Sequence, residues 1–195
     1  LITVVTPTIP PRKQMLMRAM GSVLRQTIPA AGMVVVSDVM ERGAAFTRNA
    51  ALRTVRTPWV AFLDDDDEML PTHLETLLTA ALDTRASYVY SWFTNEHADP
   101  LGGFGRPFDP ANPTQTTITT LVRREVAQRA GFRPVPSGKT IDGQKYGEDF
   151  QFTLDCLKYG AIVHHVPERT WVWHWHGGNT SGEPERWTSG QYAGK

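Results

Sequence analysis

The sequence predicts an α/β fold with a central, mostly parallel sheet flanked by helices, and three observations predict it. Short β-branched and apolar runs recur at residues 2–6, 33–37, 59–63 and 88–93. Segments with apolar residues at helical spacing lie between them, at 15–26, 44–55 and 69–82. The runs are apolar along their length, the pattern of strands covered on both faces. Strands alternating with helices imply crossover connections and so a mostly parallel sheet.

Each element has its own signal. The run 2–6 is a buried strand that Pro7, Pro10 and Pro11 break into a loop. In 15–26, Met15, Leu16, Ala19, Met20, Val23 and Leu24 share one helix face. Residues 33–37 form a second strand that ends at Asp38, and the helix 44–55 carries Arg48 and Asn49 near its start. The strand 59–63 runs directly into Asp64, Asp65, Asp66 and Asp67. The helix 69–82 has Pro71 in its first turn, and Asp67 reads as its cap. Residues 95–116 and 132–147 are irregular, and long irregular loops inside compact domains are functional or mobile. Between them, 117–122 reads as a strand and 124–130 as a short helix ended by Gly131. A helix over 149–159, closed by Gly160, and a strand over 162–166 follow. In 171–176 Trp alternates with Val or His, which in a strand puts His174 and His176 on one side and Trp171, Trp173 and Trp175 on the other. Residues 177–195 are polar and Gly-rich and read as a flexible tail.

Composition narrows the function classes. A chain of 195 residues supports one domain with a real core. Lys+Arg and Asp+Glu balance at 20 each, so a nucleic acid is not the expected main partner. The single cysteine, Cys156, rules out an internal disulfide and a cysteine-based zinc site, and reads as a buried structural thiol. No apolar stretch approaches the length of a membrane span and no signal peptide is visible, so a soluble, cytoplasmic protein is expected.

The chemistry should sit where the third strand ends. Clustered carboxylates repel one another and require solvent, hydrogen-bond donors or a cation. The carboxyl edge of an open α/β sheet is also where ligands bind. Asp64 and Asp66, two apart, project to one face and can share a hard divalent ion with a phosphate. Glu148 and Asp149, which follow a Gly-containing loop and open a helix, form a second acidic pair. His174 and His176 offer imidazole nitrogen to a metal.

In this order the residues resemble the family 2 glycosyltransferases, enzymes that use nucleotide-sugar donors and have a single GT-A (Rossmann-like) domain. Residues 2–8 are similar to the family's opening strand and nucleotide loop, and 34–38 to its second strand. Arg48-Asn49, the Asp-x-Asp (DXD) motif within 62–67, Gly147-Glu148-Asp149 and the segment 176–181 follow in sequence. The resemblance covers nearly the whole chain. It implies a catalytic domain over 1–181, with a nucleotide-sugar half over about 1–95, an acceptor half over about 96–176, and a tail over 182–195.

The resemblance also implies roles. Thr6, Pro7 and Thr8 would line the nucleoside pocket, Asp38 would bond the base, and Arg48, Asn49, Asp64 and Asp65 would lie at the nucleotide. Asp66 would bind Mn²⁺ or Mg²⁺ directly, with His174 or His176 completing the shell. Asp149 would be the general base of an inverting transfer, supported by Glu148. A UDP-sugar is the favoured donor. The acceptor would be a hydroxyl of a glycan, lipid-linked sugar, protein or modified base. The alternatives are a non-catalytic nucleotide-sugar-binding module and a sugar-nucleotide pyrophosphorylase. The latter's Gly-rich, Arg-containing loop is replaced here by Pro7-Thr8-Ile9-Pro10-Pro11.

Overall fold

Apolar strands side by side set the architecture. A computed structural model describes residues 1–95, 99, 101–133, 140, 141, 144, 145 and 147–176. In chain order they form β1 (Ile2–Thr8), a 3-10 turn (Pro10–Arg12), α1 (Lys13–Leu24), β2 (Gly32–Ser37), α2 (Ala44–Leu52), β3 (Trp59–Phe62) and β4 (Glu68–Met69). Then come α3 (His73–Thr84), β5 (Tyr88–Thr94), β6 (Thr120–Arg123), α4 (Arg124–Ala130), β7 (Thr140–Ile141), β8 (Gln144–Lys145), α5 (Glu148–Lys158) and β9 (Val163–Val172).

The main sheet has seven strands in the order β2-β1-β3-β6-β5-β9-β4. β1 lies parallel to both β2 and β3, and β5 lies parallel to β9. β6 runs against β3 and β5, and β4 against β9. Five strands therefore share a direction, as expected of a mostly parallel sheet. β7 and β8 pair separately.

Alternate side chains of the central strands feed two cores. Val5, Val60, Phe62, Tyr88 and Tyr90 face α2, α4 and α5. Val4, Trp59, Ala61, Leu63 and Val89 face α1 and α3. Phe62 meets Phe132 and Phe152 edge-on at 5.1 and 5.5 Å, and those two rings stack on each other at 4.1 Å. This trio ties β3, which ends at the aspartates, to α5, which begins with the second acidic pair.

Two sequence expectations change. The helix expected from residue 69 begins at His73, because Glu68 and Met69 pair with Val172 and Trp171. Asp67 consequently caps no helix, and its carboxylate accepts the backbone N–H of His174 at 3.1 Å. The segments 162–166 and 171–176 do not form separate strands. They are largely one strand, ending at Val172, and a register shift against β5 between Tyr90 and Trp92 accommodates Pro167. The expected tail and the segment 177–181 lie outside the described residues, as does most of 134–146.

Candidate active site

The three parallel strands β2, β1 and β3 end together, so their carboxyl ends deliver Asp38, Thr8 and Asp64 to one edge of the sheet. The register is fixed locally: Asp38 N–H donates to Thr8 O at 2.8 Å, and Leu63 N–H to Val5 O at 3.1 Å. Thr8 Oγ1 then donates to Asp65 Oδ2 at 2.6 Å. Thr6 Oγ1 is fully buried and meets no hydrogen-bond partner among the described residues. Pro7 lies in β1 between these two threonines.

Each aspartate of the cluster has a distinct environment. Asp64 accepts from Arg48 Nη2 at 2.6 Å. Asp65 is buried between Thr8 and Arg12 Nη1, the latter at 3.0 Å. Asp66 Oδ2 meets Arg12 Nη1 at 2.9 Å and His176 Nε2 at 3.0 Å. Asp67 is buried, and burial followed by the charges of Asp66 and Asp64 holds its carboxyl well above the usual carboxylate range. Burial and Asp64 also raise Asp66, against the pull of His176 and Arg12.

One oxygen each from Asp64, Asp66 and Asp67 lies within 4.8 Å of the others. Such a set of hard oxygens, with an imidazole nitrogen beside it, suits Mn²⁺ or Mg²⁺. Charge balance favours a cation too. The carboxylates of Asp64, Asp65, Asp66, Asp67, Glu68, Glu148 and Asp149 outnumber the guanidinium groups of Arg12, Arg18, Arg25 and Arg48 that pair with them among the described residues.

The short β4–β9 ladder explains how the histidines arrive. It stops at Glu68 opposite Val172, so the chain beyond β9 lies over the acidic loop. His174 Nε2 meets Glu68 Oε1 at 2.9 Å, whereas His176 meets Asp66. Of the two histidines, His176 is the one beside the oxygen set. Trp171 is core, Trp173 packs edge-on against Phe93 at 5.1 Å, and Trp175 is exposed.

Arg48 joins the two acidic groups. It projects from α2 and is almost entirely buried, with Nη2 on Asp64 Oδ1 and Nη1 on Glu148 Oε1 at 2.8 Å. Burial works against its charge, but Asp64 and Glu148 more than offset this and raise its pKa. Its neighbour Asn49, expected at the nucleotide, clamps the backbone of Phe132 with both ends of its amide, at 2.6 and 2.8 Å.

Asp149 stands in the first turn of α5 beside Glu148, with Oδ1 accepting Phe150 N–H at 2.8 Å. Burial and Glu148 push its carboxyl up to about 6, against the pull of Phe150 N–H and Arg48. That value leaves the group ionised at neutral pH yet basic enough to take a proton. Gly147 keeps the space clear, because a Cβ there would lie 2.8 Å from Asp149 Oδ1. Asp38 is held low by backbone N–H groups: its two oxygens accept from Arg42 at 2.9 Å and Gly43 at 2.6 Å, shaping the turn into α2.

The sequence reading missed Arg12 and Arg18. Arg18 Nη2 donates to Asp66 O at 2.8 Å, and its Nε lies 3.2 Å from Glu68. The only signal was their position just after the opening strand, where arginines on a helix normally read as solvated.

The model of the family "Glycosyl transferase family 2" matches residues 39–116, a span that includes Arg48 and the four aspartates. No curated protein matches the sequence. Staphylococcus aureus TarS 1-349 in complex with UDP-GlcNAc is similar at 16% identity with a TM-score of 0.74, covering 91% of this chain and 59% of that one. The UDP complex of the same protein gives 15% and 0.71, covering 89% and 60%. The mannosyltransferase PcManGT from Pyrobaculum calidifontis, in complex with GDP-Man and Mn²⁺, gives 15% and 0.64, covering 88% and 56%. The chain spans about three-fifths of the length of these solved chains. Their likeness is one of fold, the GT-A fold. Among the described residues no helix is long and apolar enough to cross a membrane.

Proposed function

We propose that this chain is a family 2 glycosyltransferase that moves a sugar from a nucleoside-diphosphate sugar to an acceptor hydroxyl with inversion, Asp149 acting as general base. The observation that carries this reading is the Arg48 bridge. One buried guanidinium ties Asp64, at the sheet edge where a donor binds, to Glu148, the neighbour of the base. Donor and acceptor chemistry therefore meet at one place, as an in-line displacement requires.

Asp149 takes the proton of the acceptor hydroxyl as that oxygen attacks the anomeric carbon. The bond from that carbon to the diphosphate oxygen breaks on the opposite face, and the electron pair leaves with the nucleoside diphosphate. Glu148 holds Arg48 and raises the basicity of Asp149. Thr6, Pro7, Thr8 and Asp38 form the nucleoside side. The N–H groups of Arg42 and Gly43 fix the Asp38 carboxylate at that side.

Asp64, Asp66, Asp67 and His176 would hold Mn²⁺ or Mg²⁺, which supplies positive charge to the departing diphosphate. UDP, UDP-GlcNAc and GDP-Man in the similar structures support a nucleotide-sugar donor, and we favour a UDP-sugar.

The test is release of nucleoside diphosphate from a panel of UDP-, GDP- and TDP-sugars, with Mn²⁺ or with EDTA. Metal-dependent release from one donor, reduced about 10²- to 10⁴-fold in Asp149→Asn with donor binding retained, is the expected result. Binding without turnover would instead identify a nucleotide-sugar-binding module. Neither binding nor release would overturn both.

A further inference from the structure

The edge of the sheet away from the candidate site carries the opposite charge. β3 and β5 begin there at Trp59 and Tyr88, and β6 ends there with Arg123 opposite Trp59. β9 starts there too, since Val163 pairs with Tyr88. The segments that turn at this edge, and α4 that leaves it, hold Arg53, Arg56, Arg85, Arg123, Arg124 and Arg129. Their acidic neighbours on the same segments are Asp83 and Glu125. None of the six arginines lies within ion-pair distance of a carboxylate among the described residues. Five are exposed and Arg124 is half-buried. A chain with 20 basic and 20 acidic residues is thus neutral in sum and polarised in space, with carboxylates at one edge and guanidinium groups at the other.

Local structure accounts for only part of this. A cation is favoured at the C-terminal end of a helix, which suits Arg53 after α2 and Arg85 after α3. The same dipole disfavours Arg123 and Arg124, which are the N-cap and first residue of α4. Several of the guanidinium groups are also held in place. Arg56 Nη1 donates to Arg53 O at 2.8 Å, and Arg124 Nη1 to Arg56 O. Arg123 lies over the Trp59 ring at 4.2 Å and Arg129 over Tyr159 at 5.6 Å. Each keeps further N–H donors for an anion. Arg53, Arg56 and Arg129 line an open recess of about 540 Å³ between α2 and α4, with room for a phosphate.

Apolar side chains project at the same edge. Leu82 in the last turn of α3 and Ile162 just before β9 are 59% and 58% exposed, and Tyr159 at the end of α5 is 43% exposed. Ile162 adjoins the turn that carries Arg85, because its carbonyl accepts the N–H groups of Ser87 and Tyr88 at 2.9 and 3.1 Å. A soluble polyanion would use the charge alone. Arginines interspersed with exposed apolar groups suit a surface with phosphates outside and hydrocarbon beneath.

We propose that this edge docks on an anionic bilayer, the arginines binding lipid phosphates while Leu82, Tyr159 and Ile162 enter between the headgroups. Arginine suits the phosphates because its planar fork binds them through two donors. The acidic edge, with Asp64 to Asp67, then faces away from the bilayer and is repelled by it, so the charge pattern fixes the orientation as well as the attraction. The docking is independent of the transferase reading, and its test needs no turnover.

The experiment is co-sedimentation with vesicles of phosphatidylcholine alone and of phosphatidylcholine mixed with phosphatidylglycerol. Soluble polyphosphate serves as a lipid-free polyanion. Three double variants are compared with the wild type: Arg53→Gln with Arg85→Gln, Arg53→Lys with Arg85→Lys, and Leu82→Ser with Ile162→Ser. Thermal melting checks folding. Arg53 and Arg85 are chosen because their side chains hold no other part of the chain among the described residues. The wild type should bind the mixed vesicles, release them as salt rises, and ignore phosphatidylcholine. Each basic residue at an anionic surface is worth about fivefold, so the Gln pair should weaken binding about 25-fold. The Lys pair should stay near the wild type, and the Ser pair should weaken vesicle binding without changing any binding of polyphosphate. A wild type that binds neither vesicle overturns the proposal, as does a folded Gln pair that binds as well as the wild type. Polyphosphate binding with an unaffected Ser pair would assign the edge to a soluble polyanion and overturn the bilayer.

Discussion

Gly147→Ala tests whether Asp149 must hold its observed orientation. The backbone of Gly147, at φ −93° and ψ −177°, suits any residue, so an effect cannot come from backbone strain. It comes from the new Cβ, 2.8 Å from Asp149 Oδ1. The contact must open by at least about 0.6 Å to reach ordinary packing distance. Rotating the carboxylate breaks its bond from Phe150 N–H, worth about 1–1.5 kcal/mol, and an off-rotamer side chain adds about 0.5–1.5 kcal/mol. The combined cost of about 1.5–3 kcal/mol corresponds to roughly 10- to 150-fold if it falls on the reacting geometry. The lost N–H was holding the Asp149 pKa down, so that value should climb above 6. The assay is kcat/KM for donor turnover against pH, with thermal melting to check the fold. The wild type should show an acid limb near pH 6, with activity rising as Asp149 ionises. The variant should melt within a few degrees of the wild type, lose activity by that factor and show its limb at higher pH. A folded variant with unchanged rate and unchanged limb would refute the role given to Asp149 and its orientation.

Other perturbations read the rest of the site and the core. Arg48→Met leaves Asp64 and Glu148 facing Asp149 without a cation. Both partners are partly exposed, so unfolding in urea should show a loss of about 2–3 kcal/mol, below the usual cost of breaking a fully buried pair. Asp66→Ala should abolish the EDTA-sensitive part of donor turnover and weaken Mn²⁺ binding about 10-fold or more, measured by calorimetry with nucleotide present. His73 is fully buried, and burial depresses its pKa to about 3. The unfolded chain protonates this imidazole first, so its contribution is present above about pH 6.5 and lost as pH falls toward 3, by about 1.4 kcal/mol per pH unit. Chemical denaturation of wild type and His73→Gln at pH 7 and 4.5 should show a shallower acid loss in the variant.

The sequence shows the strands that bear the site most clearly. Residues 2–6 and 59–63 are apolar runs buried on both faces, 33–37 is a β-branched run that forms the half-buried edge strand, and their ends locate Thr8, Asp38 and Asp64 at once. The helix over 124–130, ended by Gly131, also stands as read. What could not be read is pairing between short remote segments. Glu68–Met69 has no periodicity of its own, and only Val172 and Trp171 make it a strand. Met69 and Leu70 fit the period of Leu74 and Leu77 equally well, which is why the helix appeared to begin early. Pro167 split β9 on paper, whereas a bulge absorbs it. Asp64, Asp66 and His176 do come together, but the partners of those charges, Arg12 and Arg18, have no sequence pattern that sets them apart.

The Glu68–Val172 ladder has a consequence for how the protein is made. The contacts that complete the site span 100 residues from Arg48 to Glu148, 106 from Glu68 to His174, and 110 from Asp66 to His176. During synthesis the aspartates leave the ribosome long before the groups that neutralise them from the far end. Closing loops of that length is slow beside the formation of α1 or α2. The acidic edge is therefore finished among the last parts of the molecule. A chain halted before residue 148 would carry the donor strands with neither base nor histidine clasp.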